Sequence, residues 1–127
     1  MNYERAFKKV IEAIPILLKE FKEPTKVYIG KTEDPRECAI RHAEDDKLHY
    51  LTVLAKGVPS DISKLETDII KYFKENTNIA LCNRTEISTG NPNADQLYVC
   101  FDSFLPDDDL GEYSLDFPKK FPVTINE

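Results

Sequence analysis

Three side chains of the kinds that transfer protons or bind metal ions lie in separate segments of the chain: Tyr28, His42 and Glu66. A phenol, an imidazole and a carboxylate can together activate a water molecule and hold a divalent cation, provided that the fold brings them to one cleft. Each also has an ordinary structural explanation. A tyrosine in a strand and a lone histidine on a helix are more often packing residues whose polar atoms have found a partner.

Glu66 has the most unusual position of the three. It falls within the apolar stripe of a predicted helix, close in helical spacing to Ile62, Ile69 and Ile70. A carboxylate that faces a core is costly unless it is paired or binds a cation. If the helix instead began at Ser63, Glu66 would be the return partner of a capping box in "SKLE". The sequence leaves both explanations open.

The elements that must position these residues alternate between helices and strands. Apolar residues at spacings of three and four predict a helix over 3–22, which Pro15 should kink or break. "KVYIG" predicts a strand, "DPRE" a helix capped by Asp34 with Pro35 in its first turn, and "KLHYLTVLAKG" a central strand. A helix over 59–76 and a strand in "DQLYVCFD" follow. The order indicates an α/β or α+β domain with a small sheet.

The chain divides into three predicted segments: an N-terminal amphipathic helix over 1–24, a core over 25–102, and a tail over 103–127 that is rich in proline and aromatic residues. We expect the helix and the tail to pack on their own core. The alternative is that either of them docks on a protein partner, because exposed aromatic residues among prolines commonly serve binding.

Charge weighs against a general duplex-binding protein. The chain of 127 residues has a net charge of -6 and a pI near 5.0, whereas nonspecific affinity for DNA comes largely from lysine and arginine. Basic residues nevertheless cluster in the first third of the chain, among them Lys31, Arg36 and Arg41. A local site for a phosphate is therefore still compatible with the composition.

Cysteine content and hydropathy indicate an intracellular protein. The three cysteines are an odd number without C-x-x-C spacing, which predicts neither a disulfide framework nor a zinc site. No apolar run approaches the roughly 18 residues that span a bilayer, and no signal-peptide core is visible. We expect a cytoplasmic or nuclear location and no association with membranes.

Two further motifs give weaker evidence for a chemical function. "GKT" at 30–32 resembles the end of a phosphate-binding P-loop, but Thr25 stands where that motif needs its first glycine, so we reject nucleotide binding. Cys38, in the first turns of a helix with His42 one turn later, could serve as the nucleophile of a small-molecule enzyme. Most such cysteines are simply small core residues.

The stretch "VYIGKTEDPRECAIRHA" resembles the second half of the GIY-YIG nuclease motif. In that family a Tyr-Ile-Gly strand leads through a short turn into a helix with a catalytic arginine, and a later helix supplies a glutamate that binds a metal ion. The likeness continues through "LTVLAKGVPSDISKLETDIIKYF" and "STGNPNADQLYVCF", and it spans roughly residues 26–101. It implies an α+β fold in which helices flank a small sheet of about three strands, with an added N-terminal helix and an irregular C-terminal tail.

The resemblance implies a role for each candidate residue. Tyr28 would be the general base or its orienting partner, His42 the family's histidine, and Glu66 the single ligand of Mg²⁺ or Mn²⁺. Asn83, or else Asn78, would match the family's asparagine and contact the substrate. The implied activity is that of a metal-dependent endonuclease, with DNA as the expected nucleic acid.

The chain also departs from the family pattern. Cys38 stands where the arginine is expected, and a thiol cannot offer a guanidinium to a phosphate. Arg41 is the candidate to replace it in catalysis, while Arg36 and Lys31 are candidates for substrate binding. The first GIY strand is missing upstream, and "LYVC" with Tyr98 could fill its place in a rearranged order. Two hypotheses follow: an active phosphodiesterase, or a catalytically inactive module that binds a protein or a nucleic acid.

Overall fold

The protein is an α+β domain with a mixed sheet. The computed structural model describes residues 1–20, 26–83, 91–102 and 114–126, and these ranges contain three α-helices, one π-helical turn and five strands. The elements in chain order are α1 (Tyr3–Glu20), β1 (Val27–Thr32), α2 (Pro35–Arg41), the π-turn (His42–Asp46), β2 (Tyr50–Lys56), α3 (Pro59–Asn76), β3 (Gln96–Phe101), β4 (Ser114–Asp116) and β5 (Val123–Thr124).

Strand β3, the last long strand among the described residues, lies in the middle of the sheet between β1 and β2. The strand order is β1-β3-β2-β4, and β5 also pairs with β2. β3 is antiparallel to both β1 and β2, whereas β4 and β5 are parallel to β2. The three predicted strands are confirmed, but the sheet is larger than the three strands expected. The tail was predicted to be irregular, and this is wrong for its described part, because two short segments extend the sheet beside β2.

Helix α2 begins as its sequence predicts. The Asp34 carboxylate accepts a hydrogen bond of 3.1 Å from the Glu37 N–H, and Pro35 occupies the first turn. The backbone N–H of Asp34 donates to Thr32 Oγ1 at 3.0 Å. Thr32 therefore satisfies the donor that a capping box would assign to the Glu37 side chain. This junction fixes how the chain turns from β1 into α2.

Helix α1 runs through Pro15 without interruption, so the predicted break into two helices is wrong. An interior proline costs about 3 kcal/mol, but the helix buries Ala6, Val10, Ile14 and Leu17 against the sheet. That burial holds the helix together on both sides of the proline. Residues 21–25, where the helix was expected to end, lie outside the described residues. No described helix is long and apolar enough to cross a bilayer.

The two faces of the sheet carry different partners. Alternation along β1 sends Ile29 toward α1 and α3, in the main apolar core, which also takes in residues of β5. Tyr28 and Gly30 consequently face the other side. There a smaller cluster forms beneath α2, with Cys38 from the helix and Tyr98 and Cys100 from β3. Helix α1 and strand β5 thus share one apolar core with β1 and α3.

We predict that Ile14→Ala lowers the free energy of unfolding by about 2–5 kcal/mol, because it removes a buried side chain and leaves a cavity. Ile16 is the matched control, since it lies on the same helix but is 60% exposed, and Ile16→Ala should change stability by no more than about 0.5 kcal/mol. Urea unfolding followed by circular dichroism measures both. Equal losses from the two variants would contradict the packing of α1 described above.

Candidate functional site

A pocket of about 560 Å³ opens between β1, α2 and α3. Five of the seven candidate residues line it: Tyr28, Lys31, Arg41, His42 and Glu66. The phenol, the imidazole and the carboxylate that are separated along the chain therefore share one cleft. The other residues of the wall are Thr32, Glu33, Asp34, Glu37, Cys38, Asn91 and Tyr98.

Glu66 reaches this pocket from the middle of α3. The helix begins at Pro59, so Glu66 lies two turns inside it. The explanation of Glu66 as part of a capping box that begins at Ser63 is therefore wrong. Glu66 is only 6% exposed and it has contacts within the chain. Burial, and after it the charge of Glu66, raises the pKa of Tyr28, so the carboxylate and the phenol are electrostatic neighbours.

Gly30 allows two tyrosines to pack over the strand. It lies opposite Tyr98 in the antiparallel register of β1 and β3. A Cβ atom at Gly30 would overlap the Tyr98 hydroxyl and would lie 2.8 Å from Cε1 of Tyr28. With no side chain between them, the rings of Tyr28 and Tyr98 stack with centroids 6.2 Å apart. This close approach is why the strand requires glycine here.

His42 is hydrogen-bonded through both ring nitrogens. Its Nε2 lies 2.7 Å from the Tyr98 hydroxyl, and its Nδ1 lies 2.8 Å from Oδ2 of Asp46. The ring centroid is 4.9 Å from that of Tyr28. A buried histidine with both nitrogens satisfied is fixed in orientation. The imidazole therefore presents one defined edge to Tyr98.

The hydroxyl and thiol groups of the pocket stay protonated at neutral pH. Burial, followed by the charge of Glu66, raises the pKa of Tyr28. Burial likewise raises the pKa of Tyr98 well above its ordinary value. Burial also raises the pKa of Cys38, and the Tyr98 hydroxyl and the Arg41 guanidinium only partly offset this. Since the thiolate is the nucleophile, this environment does not favour a reaction that begins at Cys38.

Arg41 brings a guanidinium to the pocket beside Cys38. Its Nη2 lies 3.9 Å from Sγ of Cys38, one turn earlier on α2. Arg41 is exposed toward solvent and lines the pocket, so its charge is available to a bound anion. Arg36 is also exposed, but it does not line the pocket. The structure thus distinguishes between the two arginines that the sequence offered.

Lys31 and Asn83 both bond to neighbouring elements. Lys31 lines the pocket and donates from Nζ to Oγ of Ser63 at 2.7 Å, which ties β1 to α3. Asn83 does not line the pocket. Its Oδ1 accepts from the Ile29 N–H at 3.0 Å and its Nδ2 donates to the Ile29 carbonyl at 2.7 Å. The amide thus satisfies a backbone pair of β1, and Asn78 lies outside the pocket as well.

The pocket fits a metal ion that is held by one carboxylate. Mg²⁺ commonly binds through one or two protein carboxylates and keeps several waters or phosphate oxygens. Glu66 supplies such a carboxylate in a largely desolvated position. Within the described ranges, no three histidine, cysteine, aspartate or glutamate side chains cluster as a complete protein-ligand set. A cation at Glu66 would therefore depend on the substrate and on water for its other ligands.

Two residues of the site have roles that the candidate list lacked. Tyr98 was considered only as part of a replacement strand, and it stands at the centre of the aromatic cluster. Asp46 was not considered at all. A signal for Asp46 was present, because it lies four residues after His42 and side chains at that spacing meet on a helix. The partner of Tyr98 could be found only by knowing the strand register.

No protein-family model, no curated protein and no solved structure matches the chain. The geometry of the pocket and the motifs that line it are therefore the observations from which a function can be inferred.

We predict that Gly30→Ala destabilises the protein by about 1–3 kcal/mol, because the new methyl group overlaps the Tyr98 ring and forces it to move. Gly57→Ala is the matched control, since a Cβ there would meet Ile125 Cβ at 3.2 Å, a much smaller conflict. Unfolding in urea measures both losses. If Gly30→Ala proved as stable as the wild type, Tyr98 would not lie over Gly30 as described.

Proposed function

We propose that the protein is a GIY-YIG-like, metal-dependent phosphodiesterase that cleaves nucleic acid, with DNA as the expected substrate. One observation carries the proposal: Tyr28, Arg41, His42 and Glu66, which follow one another in the order that the family resemblance implies, line a single pocket. Residues that are 38 positions apart, such as Tyr28 and Glu66, have no local reason to meet. A concave pocket lined by several titratable side chains is the place from which an active site is assigned.

The order of the strands supports this proposal. In the described residues before β1, the chain has α1 and no counterpart of the family's first strand. β3 lies beside β1 in antiparallel pairing and sets Tyr98 opposite Gly30. A strand that comes late in the sequence can thus supply the tyrosine of the missing GIY strand. The proposal therefore includes a rearranged chain order around a similar set of side chains.

In the proposed site, Glu66 holds a divalent cation, Mg²⁺ or Mn²⁺. When bound, the cation would act as a Lewis acid toward the negative charge that develops on the phosphate. Arg41 supplies a positive charge from the wall formed by α2, in place of an arginine at Cys38. Lys31 adds a second positive charge at the end of β1. Tyr28, kept protonated by its raised pKa, donates a hydrogen bond to a phosphate oxygen.

A second candidate function is a catalytically inactive module of the same type that binds a protein or a nucleic acid. Two observations favour it. Cys38 occupies the arginine position, and its side chain is 2% exposed. In addition, three acidic residues, Glu33, Asp34 and Glu37, line the pocket together with Glu66. Their negative charge opposes a bound phosphate unless a cation is present.

The proposal predicts metal-dependent cutting that requires Glu66. Single-stranded, duplex and branched DNA are incubated with the protein in Mg²⁺ or Mn²⁺, and products are resolved on denaturing gels. Glu66→Gln should reduce the cleavage rate at least about 100-fold, because even residues that only orient metal ligands are worth 10–100-fold. Glu75→Gln makes the same change on an exposed position of α3 and should cut like the wild type. Equal cutting by wild type and Glu66→Gln would indicate a contaminating nuclease.

Substitutions at Cys38 and Arg41 separate the two candidate functions. If Arg41 replaces the family arginine, Arg41→Ala should lower the cleavage rate by on the order of 10³, the lower end of the effect of an arginine on phosphoryl transfer. In the double variant Cys38→Arg/Arg41→Ala, the guanidinium returns to the family position and activity should be partly restored. An inactive wild type combined with an active Cys38→Arg variant would support the catalytically inactive module instead. Circular dichroism checks that each variant is folded.

A further inference from the structure

A chain of two hydrogen bonds leads from the pocket to the protein surface. It begins at the Tyr98 hydroxyl, passes through the two ring nitrogens of His42 and ends at the Asp46 carboxylate, with distances of 2.7 and 2.8 Å. Tyr98 and His42 are buried, whereas the Asp46 side chain is 53% exposed. None of the roles considered so far uses Asp46.

For a neutral imidazole, the chemistry of the three groups fixes the direction of both bonds. An ionised carboxylate can only accept, so the His42 Nδ1 must carry a hydrogen and donate it to Asp46. A neutral imidazole has only one N–H, so Nε2 is then an acceptor. The Tyr98 hydroxyl therefore donates its only hydrogen to His42. The neighbouring Cys38 sulfur is a weaker acceptor than an imidazole nitrogen and does not compete effectively for that hydrogen.

The backbone holds Asp46 in the position that this arrangement needs. His42–Asp46 forms a π-helical turn directly after α2. The turn closes at Lys47, whose φ of 60° is left-handed, and the N–H groups of Lys47 and Leu48 both donate to the His42 carbonyl. A left-handed residue other than glycine costs about 1–2 kcal/mol, and π-helical turns occur frequently at functional sites. The turn thus brings Asp46 back over the imidazole.

We propose that Asp46 is a positioning residue that holds His42 in the tautomer protonated at Nδ1. The Tyr98 hydroxyl then donates its hydrogen bond to His42. Toward the pocket, its oxygen can only accept a hydrogen bond. The two phenols of the site consequently differ: Tyr28 donates to a bound group, while Tyr98 accepts from one. This assignment rests on the proposed function. It places a hydrogen-bond donor, such as the attacking water, beside Tyr98. It places a phosphate oxygen, which is an acceptor, beside Tyr28.

The experiment measures the ring of His42 directly by two-bond ¹H–¹⁵N correlation on the uniformly labelled full chain. The chain has only two histidines, and spectra of His49→Gln identify the signals of His42. Spectra are recorded upward in pH until the ring is neutral. In the wild type we expect Nδ1 in the range of a protonated nitrogen and Nε2 in the range of an unprotonated one. Asp46→Ala should move both resonances toward the opposite pattern.

Asp45→Ala is the matched control, because it removes the same charge from the same turn at an exposed position, and it should leave both resonances unchanged. If the neutral ring of the wild type carried its hydrogen on Nε2, or populated the two tautomers equally, the wild-type spectrum alone would overturn the proposal. An unchanged pattern in folded Asp46→Ala would do so as well. Since the ring is read without substrate or metal, this result is independent of cleavage: failure to cut DNA counts against the proposed function alone.

Discussion

The antiparallel pairing of β1 with β3 is the constraint on which the site depends. It sets Gly30 opposite Tyr98, and because glycine has no side chain, the tyrosine can lie across the strand toward α2. His42 then reaches the Tyr98 hydroxyl from the end of α2. A shift of one residue in this register would turn Tyr98 to the opposite face of the sheet, among the apolar side chains beneath α1 and α3. The aromatic cluster and the pocket would be lost together.

The burial of polar groups in the pocket is stable because each one has a partner. An unsatisfied buried donor or acceptor costs about 1–3 kcal/mol, and the pocket contains a buried imidazole, phenol and carboxylate. His42 is satisfied on both sides, Tyr98 through His42, and Glu66 also has contacts within the chain. Within the described residues, the one buried side-chain polar atom without a partner is Oγ1 of Thr52 on β2. The network therefore avoids the cost of an unsatisfied buried group.

Local sequence patterns predicted the helices and strands of this fold well. They did not predict the order of the strands or the contacts between residues that are remote in sequence, which depend on long-range pairing. The bounds of α3 and the cap at Asp34 follow from residues that are adjacent in sequence, so periodicity and capping chemistry were sufficient. The central position of β3 depends on partners that are remote in sequence, and no local signal reports it. The same holds for Asn83, whose amide bonds to Ile29 across 54 positions. Sequence could mark Tyr28, His42 and Glu66 as candidates, but only the register explains why they meet.

The charge of the pocket bears on both candidate functions. Four carboxyl groups line it, including Glu66, against two basic side chains, Lys31 and Arg41. If all are ionised, the wall carries an excess of two negative charges, and a phosphate would add to it. Like charges around one pocket repel one another, most strongly where solvent does not screen them. One divalent cation at Glu66 would balance that excess, so binding of a phosphodiester and binding of the cation should be strongly coupled. A protein ligand with a basic side chain could balance it without any metal, and this difference in chemistry separates the nuclease from the binding module.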